Sequence, residues 1–345
     1  MPTRPPRLRR ARPSPKKSSS DPNRPRLPTD ADRRWLAAAA RLAARGVPLA
    51  RPNPAVGAIV VRDDIVIARG WTQPGGRPHA EAVALAAAGD AARGAALYVS
   101  LEPCAHQSER GPSCADLIAA SGLARVVIGC HDPDPRTAGQ GVSRIRAAGI
   151  AVSEVDCAEC AASLAGYLML RRQGRPHVTL KLALSADGRL APPQGQWLTG
   201  EIARAHVHAW RARMDAILVG SGTLSTDSPR LDVRLPGIAD RSPQRWLLTR
   251  GDAPPGWQAL PSPEAIFDMG GVQTLMVEGG AETARALLDA GLVDRMMLYR
   301  APLTVGGQGP ALPELTADAL AGSPHWRLAD RRALGNDRLD VYEQG

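Results

Sequence analysis

One histidine, one glutamate and two cysteines stand in an order that constrains this chain more than any other feature of its sequence. His79 is followed two residues later by Glu81, and Pro103-Cys104 is followed ten positions later by Cys114. Histidine nitrogens and cysteine thiolates are preferred zinc ligands, and three protein ligands leave the fourth corner of the tetrahedron open for water. The pattern therefore predicts that His79, Cys104 and Cys114 bind a zinc ion.

Glu81 lies beside these ligands without being one of them. The order His-x-Glu, then Pro-Cys and a later Cys, is typical of zinc deaminases, in which the glutamate is a general acid and base. Bound zinc lowers the pKa of its water towards neutrality, and the glutamate passes a proton to the ring nitrogen and then to the leaving ammonia. A lone His or Cys is usually a core residue, but this ordered set predicts a deaminase site with Glu81 as proton shuttle.

The spacing of the two cysteines is unusual for that class. Nine residues separate Cys104 from Cys114, whereas the common nucleobase deaminase pattern has two. We expect the loop 105–113 to lie beside the metal, where it can contact the substrate.

Length and charge predict two folded domains preceded by a tail. A chain of 345 residues is long for one domain. Residues 1–28 contain nine Arg or Lys and one Asp, so they hold +8 of the net charge of +9. Their Pro, Arg and Ser content predicts a disordered basic tail over residues 1–29. A nucleic-acid-binding arm, a transit peptide and a merely solvated tail stay open as interpretations.

The remaining composition favours a cytoplasmic protein without a membrane span. No uncharged apolar run approaches 18 residues, and five cysteines, an odd number, favour a reducing compartment over a disulfide framework. Cys157 and Cys160 have the C-x-x-C spacing without a second pair, so we interpret them as ordinary cysteines. Lysine is rare, with 3 Lys against 40 Arg, and Lys181 is the only one beyond the tail. Since an ammonium and a guanidinium differ in donor geometry, we predict a binding role for Lys181.

Hydrophobic patterning predicts an α/β fold, because short β runs alternate with helical segments. The predicted strands are 58–62, 65–68, 97–101, 125–129, 150–153, 178–184, 216–219, 244–248, 274–277 and 295–299. The predicted helices are 35–45, 78–88, a helix opened at Pro103 and resumed over 114–120, 142–148 and 281–290.

Nine motifs then appear in the order of a known family. The first half contains N-P-x-V-G (53–57), P-H-A-E (78–81), L-E-P-C-A-H (101–106) and D-P-D-P-R-T-A-G-x-G (132–141). The second half contains V-T-L-K-L-A-x-S-x-D-G (178–188), W-L-T-G (197–200), D-A-I-L-V-G-x-G-T (215–223), L-D-V-R-L-P-G (231–237) and V-E-G-G (277–280). The chain after about residue 30 thus resembles the bifunctional riboflavin-biosynthesis deaminase/reductases.

The resemblance implies two successive reactions and a fold for each. A diaminopyrimidinone carrying a ribosylamino 5-phosphate loses an exocyclic amine at zinc, and NADPH then reduces its ribose to ribityl. A three-layer cytidine-deaminase-like domain is expected over residues 30–173, followed by a dihydrofolate-reductase-like α/β domain over 174–345. The implied partner is this small phosphorylated pyrimidine, with a homo-oligomer as the expected assembly and neither membrane nor nucleic acid as a partner.

The resemblance also assigns residues. In the deaminase half, Asn53 and His106 are expected to hold the substrate, and Arg110 falls on the loop where the family keeps a basic residue. In the reductase half, the residues expected to bind the substrate are Arg211, Leu231, Arg234 and Glu278. Those expected to bind NADPH are Lys181, Ala183, Trp197, Thr223, Asp227 and Gly280. No G-x-G-x-x-G follows a strand, so a Rossmann site is not indicated; Gly280 instead precedes a helix whose free N–H groups suit phosphate.

Two departures from the family leave alternatives open. Thr72 stands where many members have a histidine, and the segment before Trp197 is about two residues short, with Gly195 where a serine is common. The alternatives are a deaminase whose reductase half is degenerate, and a nucleic-acid base deaminase that uses the basic tail.

Overall fold

The computed structural model of the protein describes residues 28–106, 111–190, 197–307 and 309–345. Nearly all of the predicted tail, part of the inter-cysteine loop including Arg110, and Gly195 lie outside the described residues. Within those four ranges, no helix combines the length and apolarity needed to cross a bilayer. The described residues form two β-sheets, each covered by helices.

The first sheet has five strands. Its elements in chain order are α1 (Asp30–Ala43), β1 (Gly57–Arg62), β2 (Ile65–Trp71), α2 (Ala80–Ala88), β3 (Ala96–Val99), α3 (Cys114–Ala120), β4 (Arg125–Ile128), α4 (Gln140–Ala147), β5 (Ala151–Glu154), α5 (Ala158–Ser163) and α6 (Ala165–Gln173). The strand order is β2-β1-β3-β4-β5. Strand β1 runs antiparallel to β2 and β3, while β3, β4 and β5 are parallel.

Alternation along β1 explains why helices cover both faces of this sheet. Ala58 and Val60 pack into the core that contains α2, α3 and α4, whereas Ile59 and Val61 pack against α1 and α5. Successive side chains of a strand point to opposite faces, so a strand that is apolar at every position needs a layer on each side. The predicted three-layer arrangement is confirmed.

The second sheet has eight strands. Its elements are β6 (His177–Leu184), α7 (Glu201–Arg211), β7 (Ala216–Gly220), α8 (Ser221–Asp227), β8 (Gln244–Leu248), β9 (Gln258–Leu260), β10 (Thr274–Val277), α9 (Ala281–Asp289), β11 (Arg295–Arg300), α10 (Ala317–Ala321), β12 (Trp326–Leu334) and β13 (Asp337–Gln344). The order is β12-β13-β11-β6-β10-β7-β8-β9. Strands β6 to β11 are parallel, and the hairpin β12–β13 adds antiparallel strands at one edge.

One predicted helix is wrong. No helix opens at Pro103, and residues 102–106 have no regular structure. The backbone polar groups there bond to distant segments instead: Glu102 N donates to Cys130 O at 2.9 Å, and Ala115 N donates to Cys104 O at 3.1 Å. These tertiary bonds replace the intrahelical ones, so α3 begins only at Cys114.

The two units contact each other at the amino-terminal ends of two interior strands of the second sheet. Arg51 Nε lies 2.9 Å from Asp215 Oδ1, and Gln273 Nε2 donates to Pro52 O at 3.1 Å. Gly166 packs so closely there that an added Cβ would lie 2.7 Å from Gln273 O. Asp215 and Gln273 immediately precede β7 and β10, so the first unit sits against the amino-terminal ends of these parallel strands.

A buried ion pair fixes the segment that joins the two units. Arg175 Nη1 and Nη2 donate to the Asp294 carboxylate at 2.7 and 2.8 Å, and Val178 N donates to the same group at 2.8 Å. Replacing Asp294 with Asn removes the charge that compensates a buried guanidinium, which costs about 3–5 kcal/mol. We expect this loss in the free energy of unfolding measured with urea.

Asp289→Asn is the matched control, because Asp289 is exposed on α9 and a surface change of this kind costs less than about 0.5 kcal/mol. Equal destabilisation by the two variants would show that the Arg175–Asp294 pair contributes no more than a surface charge.

Candidate active sites

The three predicted zinc ligands converge in the first unit. His79 caps α2, Cys114 is the first residue of α3, and Cys104 lies on the irregular segment after β3. His79 Nδ1 is 3.3 Å from Cys114 Sγ and 3.5 Å from Cys104 Sγ. Zinc–ligand bonds of about 2.0–2.3 Å place the ligand atoms of one tetrahedral ion about 3.5 Å apart. Among the described residues, these form the one group of three or more such side chains close enough to share a metal ion.

Two glycines allow the segments that carry the zinc ligands to pack closely against neighbouring strands and helices. A Cβ on Gly70 would lie 2.3 Å from Ala80 O, and a Cβ on Gly141 would lie 2.1 Å from Pro103 O. Gly70 therefore lets α2 pack onto β2, and Gly141 lets the segment that carries Cys104 pack onto α4. Ser113 Oγ accepts from Asp116 N at 3.2 Å, which caps the start of α3 and fixes the position of Cys114.

The charges of the two thiols show which ion the site fits. Hydrogen bonding with Cys114 lowers the pKa of the Cys104 thiol to about 4, and the backbone N–H of Cys114 adds a bond to Cys104 Sγ at 3.4 Å. The same sulfur–sulfur contact raises the pKa of the Cys114 thiol, as does burial. A second thiolate beside the first needs a compensating positive charge. A thiophilic divalent cation supplies it, so the donor set fits zinc.

Glu81 lines a cavity that His79 and Cys104 also line. It is on the first turn of α2 and only 3% exposed. Burial raises the pKa of Glu81 to about 7, opposed by His79 and reinforced by the charge of Cys104. A carboxyl group whose pKa lies near neutrality can both accept and donate a proton at that pH.

The cavity above Glu81 brings together the residues predicted to hold the substrate. Its volume is about 240 Å³. Asn53 Nδ2 lies 2.9 Å from Gly76 O and 3.1 Å from His79 Nε2, so Asn53 also orients the zinc ligand. His106 Nδ1 is buried and has no hydrogen-bond partner among the described residues. The other lining residues include Thr72, Arg77, Asp132, Asp134, Arg136, Tyr167 and Arg171.

A second polar cluster lies at the carboxyl ends of β7 and β10. Arg211 Nε and Nη2 donate to the Glu278 carboxylate at 2.6 and 2.9 Å, and Lys181 Nζ is 3.6 Å from Glu278 Oε2. Burial alone would raise the pKa of Glu278, but the positive charges of Lys181 and Arg211 outweigh it and hold that pKa below its ordinary value. The structure therefore joins three of the predicted reductase residues into one charged group.

The other predicted reductase residues lie on several segments of the second unit. Gly280, which precedes α9, donates from its N–H to Thr223 Oγ1 at 3.2 Å. Leu231 is buried with a φ of 55°, and the backbone N–H of Arg234 donates to His208 Nδ1 at 3.3 Å. Ala183 packs near Leu198, while Trp197 is 71% exposed, with the Arg204 guanidinium 5.2 Å from its ring centre. Asp227 ends α8.

Sequence reasoning missed one interaction beside this cluster. The Tyr299 hydroxyl lies 2.8 Å from His206 Nδ1, and Lys181 Nζ is 5.9 Å from the Tyr299 ring centre. His208 faces another way and contacts Asp232 O at 3.1 Å, as expected for residues two apart on a helix. Tyr299 directly follows three apolar residues in β11, so no sequence signal distinguished it from the core.

Two family models cover most of this architecture. Residues 29–130 match the model described as the cytidine and deoxycytidylate deaminase zinc-binding region. Residues 176–262 and 264–339 match the RibD C-terminal domain. The predicted cytidine-deaminase-like unit and the reductase unit that follows it are confirmed by these matches.

Whole-chain relatives have the same two-part organisation. The riboflavin biosynthesis protein RibD of Escherichia coli K12 is 34% identical over 358 aligned positions, covering 89% of this chain and 97% of that protein. A structure of Acinetobacter baumannii RibD superposes with a TM-score of 0.78 at 33% identity, covering 91% of this chain and 99% of the other. A diaminohydroxyphosphoribosylaminopyrimidine deaminase/5-amino-6-(5-phosphoribosylamino)uracil reductase from Thermotoga maritima gives a TM-score of 0.80 at 29% identity, with the same coverage. This chain belongs to the RibD family of riboflavin biosynthesis proteins.

Proposed function

We propose that this chain catalyses two successive steps of riboflavin biosynthesis. Residues 30–173 deaminate a 2,5-diamino-6-ribosylamino-pyrimidinone 5-phosphate by hydrolysis, and residues 174–345 reduce the ribose of the product to ribityl with NADPH. The observation that carries the proposal is the convergence of His79, Cys104 and Cys114 beside the buried Glu81 in a chain that matches RibD proteins over about nine-tenths of its length.

In the deamination step, the residues of the first unit hold the substrate and move protons. His79, Cys104 and Cys114 would hold a zinc ion, which would supply the Lewis acidity that makes a water reactive at neutral pH. Glu81 takes the proton from that water and delivers it to the ring nitrogen and then to the departing amine. Asn53 and His106 orient the pyrimidine and its sugar; the unpartnered Nδ1 of His106 in the described residues supports this role.

In the reduction step, the second unit binds a charged substrate against a charged cluster. NADPH supplies the two reducing equivalents that the open form of the ribose takes up. Glu278 positions Lys181 and Arg211, and Arg211 and Arg234 bind the substrate phosphate through charge-assisted hydrogen bonds. Leu231 packs against the substrate. The residues that would hold NADPH are Lys181, Ala183, Trp197, Thr223, Asp227 and Gly280.

The decisive experiment follows both reactions on the purified chain. With the synthetic diaminopyrimidinone ribosylamino phosphate, we expect ammonia release first and loss of NADPH absorbance afterwards. Ammonia without NADPH loss would instead indicate a degenerate reductase half. Absence of both signals, with deamination of an RNA base that depends on residues 1–28, would favour the nucleic-acid base deaminase.

Glu278→Gln should lower reductase kcat/KM by about 10²-fold, the scale of losing one preorganised charged group from an active site. The amide no longer balances the charges of Lys181 and Arg211, so their positions relax. The measurement is NADPH oxidation with the deaminated intermediate as substrate. Glu264→Gln, at an exposed carboxylate of the same unit, should change nothing. If the two variants oxidise NADPH equally well, Glu278 has no part in reduction.

We also propose that the chain acts in the cytoplasm as a homo-oligomer, with a small phosphorylated pyrimidine as its partner rather than nucleic acid. All five cysteines are free, which suits a reducing compartment. Ile65 and Val66 are exposed on β2, at the edge of the first sheet, where edge strands offer a surface for a second copy. Light scattering of the purified chain measures the mass of the assembly directly.

A further inference from the structure

Two arginines at the mouth of the deaminase cavity have no role in the mechanism above. Arg136 lies in the loop between β4 and α4, and Arg171 lies on α6. Both line the cavity that contains His79 and Glu81. Their side chains are 61% and 43% exposed, so they lie where the cavity opens to solvent. We refer to them as the mouth arginines.

A buried carboxylate holds the mouth arginines together. Arg136 Nε is 2.9 Å from Asp134 Oδ1, and its Nη2 donates to Asp134 Oδ2 at 2.6 Å. Arg171 Nη2 lies 3.4 Å from Asp134 Oδ2, and its guanidinium is 5.6 Å from the Tyr167 ring centre. The Asp134 side chain is only 6% exposed, so this carboxylate is a fixed anchor and each guanidinium is held on one side only.

The pair keeps both charge and donors available for a ligand. Two guanidinium groups share one carboxylate, which leaves a net positive charge at the mouth. Each guanidinium has five N–H donors in a planar fork, and Arg136 directs only Nε and Nη2 at Asp134. Arg77 adds a third cation to the lining.

The size of the cavity indicates which part of a ligand reaches these arginines. Its volume of about 240 Å³ is below the roughly 300–1,000 Å³ of typical small-molecule sites. A pyrimidine whose reacting carbon lies beside the zinc ligands therefore fills the interior with its base and part of its sugar. The far end of the molecule must lie at the mouth, among the described residues that carry positive charge there.

We propose that Arg136 and Arg171 form an anion subsite that binds the terminal phosphate of the substrate during deamination. Asp134 is a positioning residue that aligns the two guanidinium groups. The proposal rests on the proposed function, since it takes the phosphorylated pyrimidine as the deaminase substrate. It adds a specificity determinant: the deaminase half distinguishes the phosphorylated form from its nucleoside form through this pair.

The test compares two substrates on each variant. For Arg136→Ala and Arg171→Ala, we expect KM for ammonia release from the phosphorylated substrate to rise about tenfold each, the scale of one charge-assisted hydrogen bond. Their kcat should stay within about twofold, and KM for the dephosphorylated nucleoside form should not change. Asp134→Asn should show the same selective rise in KM, whereas a merely structural role would affect both substrates equally. Arg172→Ala, at the next exposed arginine of α6, is the matched control.

A second measurement keeps the subsite separate from the proposed function. Titration with inorganic phosphate, followed by phosphorus NMR, counts anion sites without any turnover. The Arg136→Ala/Arg171→Ala double variant should bind one phosphate fewer than the parent chain and the Arg172→Ala control, with an unchanged zinc content. An unchanged phosphate count, or an equal rise in KM for both substrate forms, overturns the subsite. Failure of the parent chain to deaminate either form would instead count against the proposed function.

Discussion

Replacing Glu81 with Gln lowers the rate of ammonia release by about 10³-fold, within the range of a lost general acid and base. Gln has nearly the same shape and keeps the polar contacts of the buried site, but it cannot take a proton from water or return one to the ring. Glu81 is not a zinc ligand, so the variant should retain its zinc. The rate of ammonia release under saturating substrate measures the effect.

The second unit provides an internal control for this variant. Glu81→Gln should oxidise NADPH at the parental rate when the deaminated intermediate is supplied, and not when the first substrate is supplied. Glu159→Gln, at an exposed carboxylate on α5, should behave as the parent chain in both assays. Deamination by Glu81→Gln within about tenfold of the parent would assign the proton transfer to another group.

Replacing Cys114 with Ser should remove zinc and abolish deamination. The hydroxyl of serine is far less acidic than a thiol and is a poor zinc ligand, so only His79 and Cys104 remain. Metal analysis should fall from about one zinc per chain in the parent to near zero in the variant. We expect the deamination rate to fall by more than about 10³-fold, because the attacking water loses its activation.

Cys130→Ser tests whether any cysteine of the first unit would have this effect. Cys130 is half-buried and is not part of the three-ligand group, so zinc content and deamination should both persist. Dialysis of the parent chain against a chelator should reproduce the Cys114→Ser result, and added zinc should restore activity. A zinc-depleted chain that still deaminates would contradict the assigned centre.

Patterns of neighbouring residues in the sequence were enough to predict most strands and the group of zinc ligands. The strands predicted over 58–62 and 216–219 both form, because a run of apolar residues can be buried on the two faces of a covered sheet. The order of His79, Glu81, Cys104 and Cys114 predicted a cluster that the structure assembles from three separate segments. This prediction rested on the residue types that bind zinc and not on hydrophobic periodicity.

The missed features depend on contacts between distant residues. A proline before Cys104 favours a helix start in isolation, but the backbone there bonds to Cys130, two residues after β4, and to the first turn of α3. The hairpin β12–β13 went unpredicted because six of the nine residues of β12 are exposed and none is buried. The register of β12 is set by its pairing with β13, which in turn pairs with β11. The mouth arginines converge through Asp134, which no sequence spacing reveals.

The position of the contact between the two units bears on the route by which the intermediate travels from the first active site to the second. The first unit touches Asp215 and Gln273, which precede β7 and β10, whereas Glu278 follows β10 at its other end. The four residues of β10 lie between Gln273 and Glu278, and five residue steps of extended strand span roughly 17 Å. We therefore expect the product of the first reaction to pass through the solvent before it enters the second site of the same chain. The second step would then respond to the bulk concentration of that intermediate, so NADPH oxidation should begin after a lag and an added trap should intercept the intermediate.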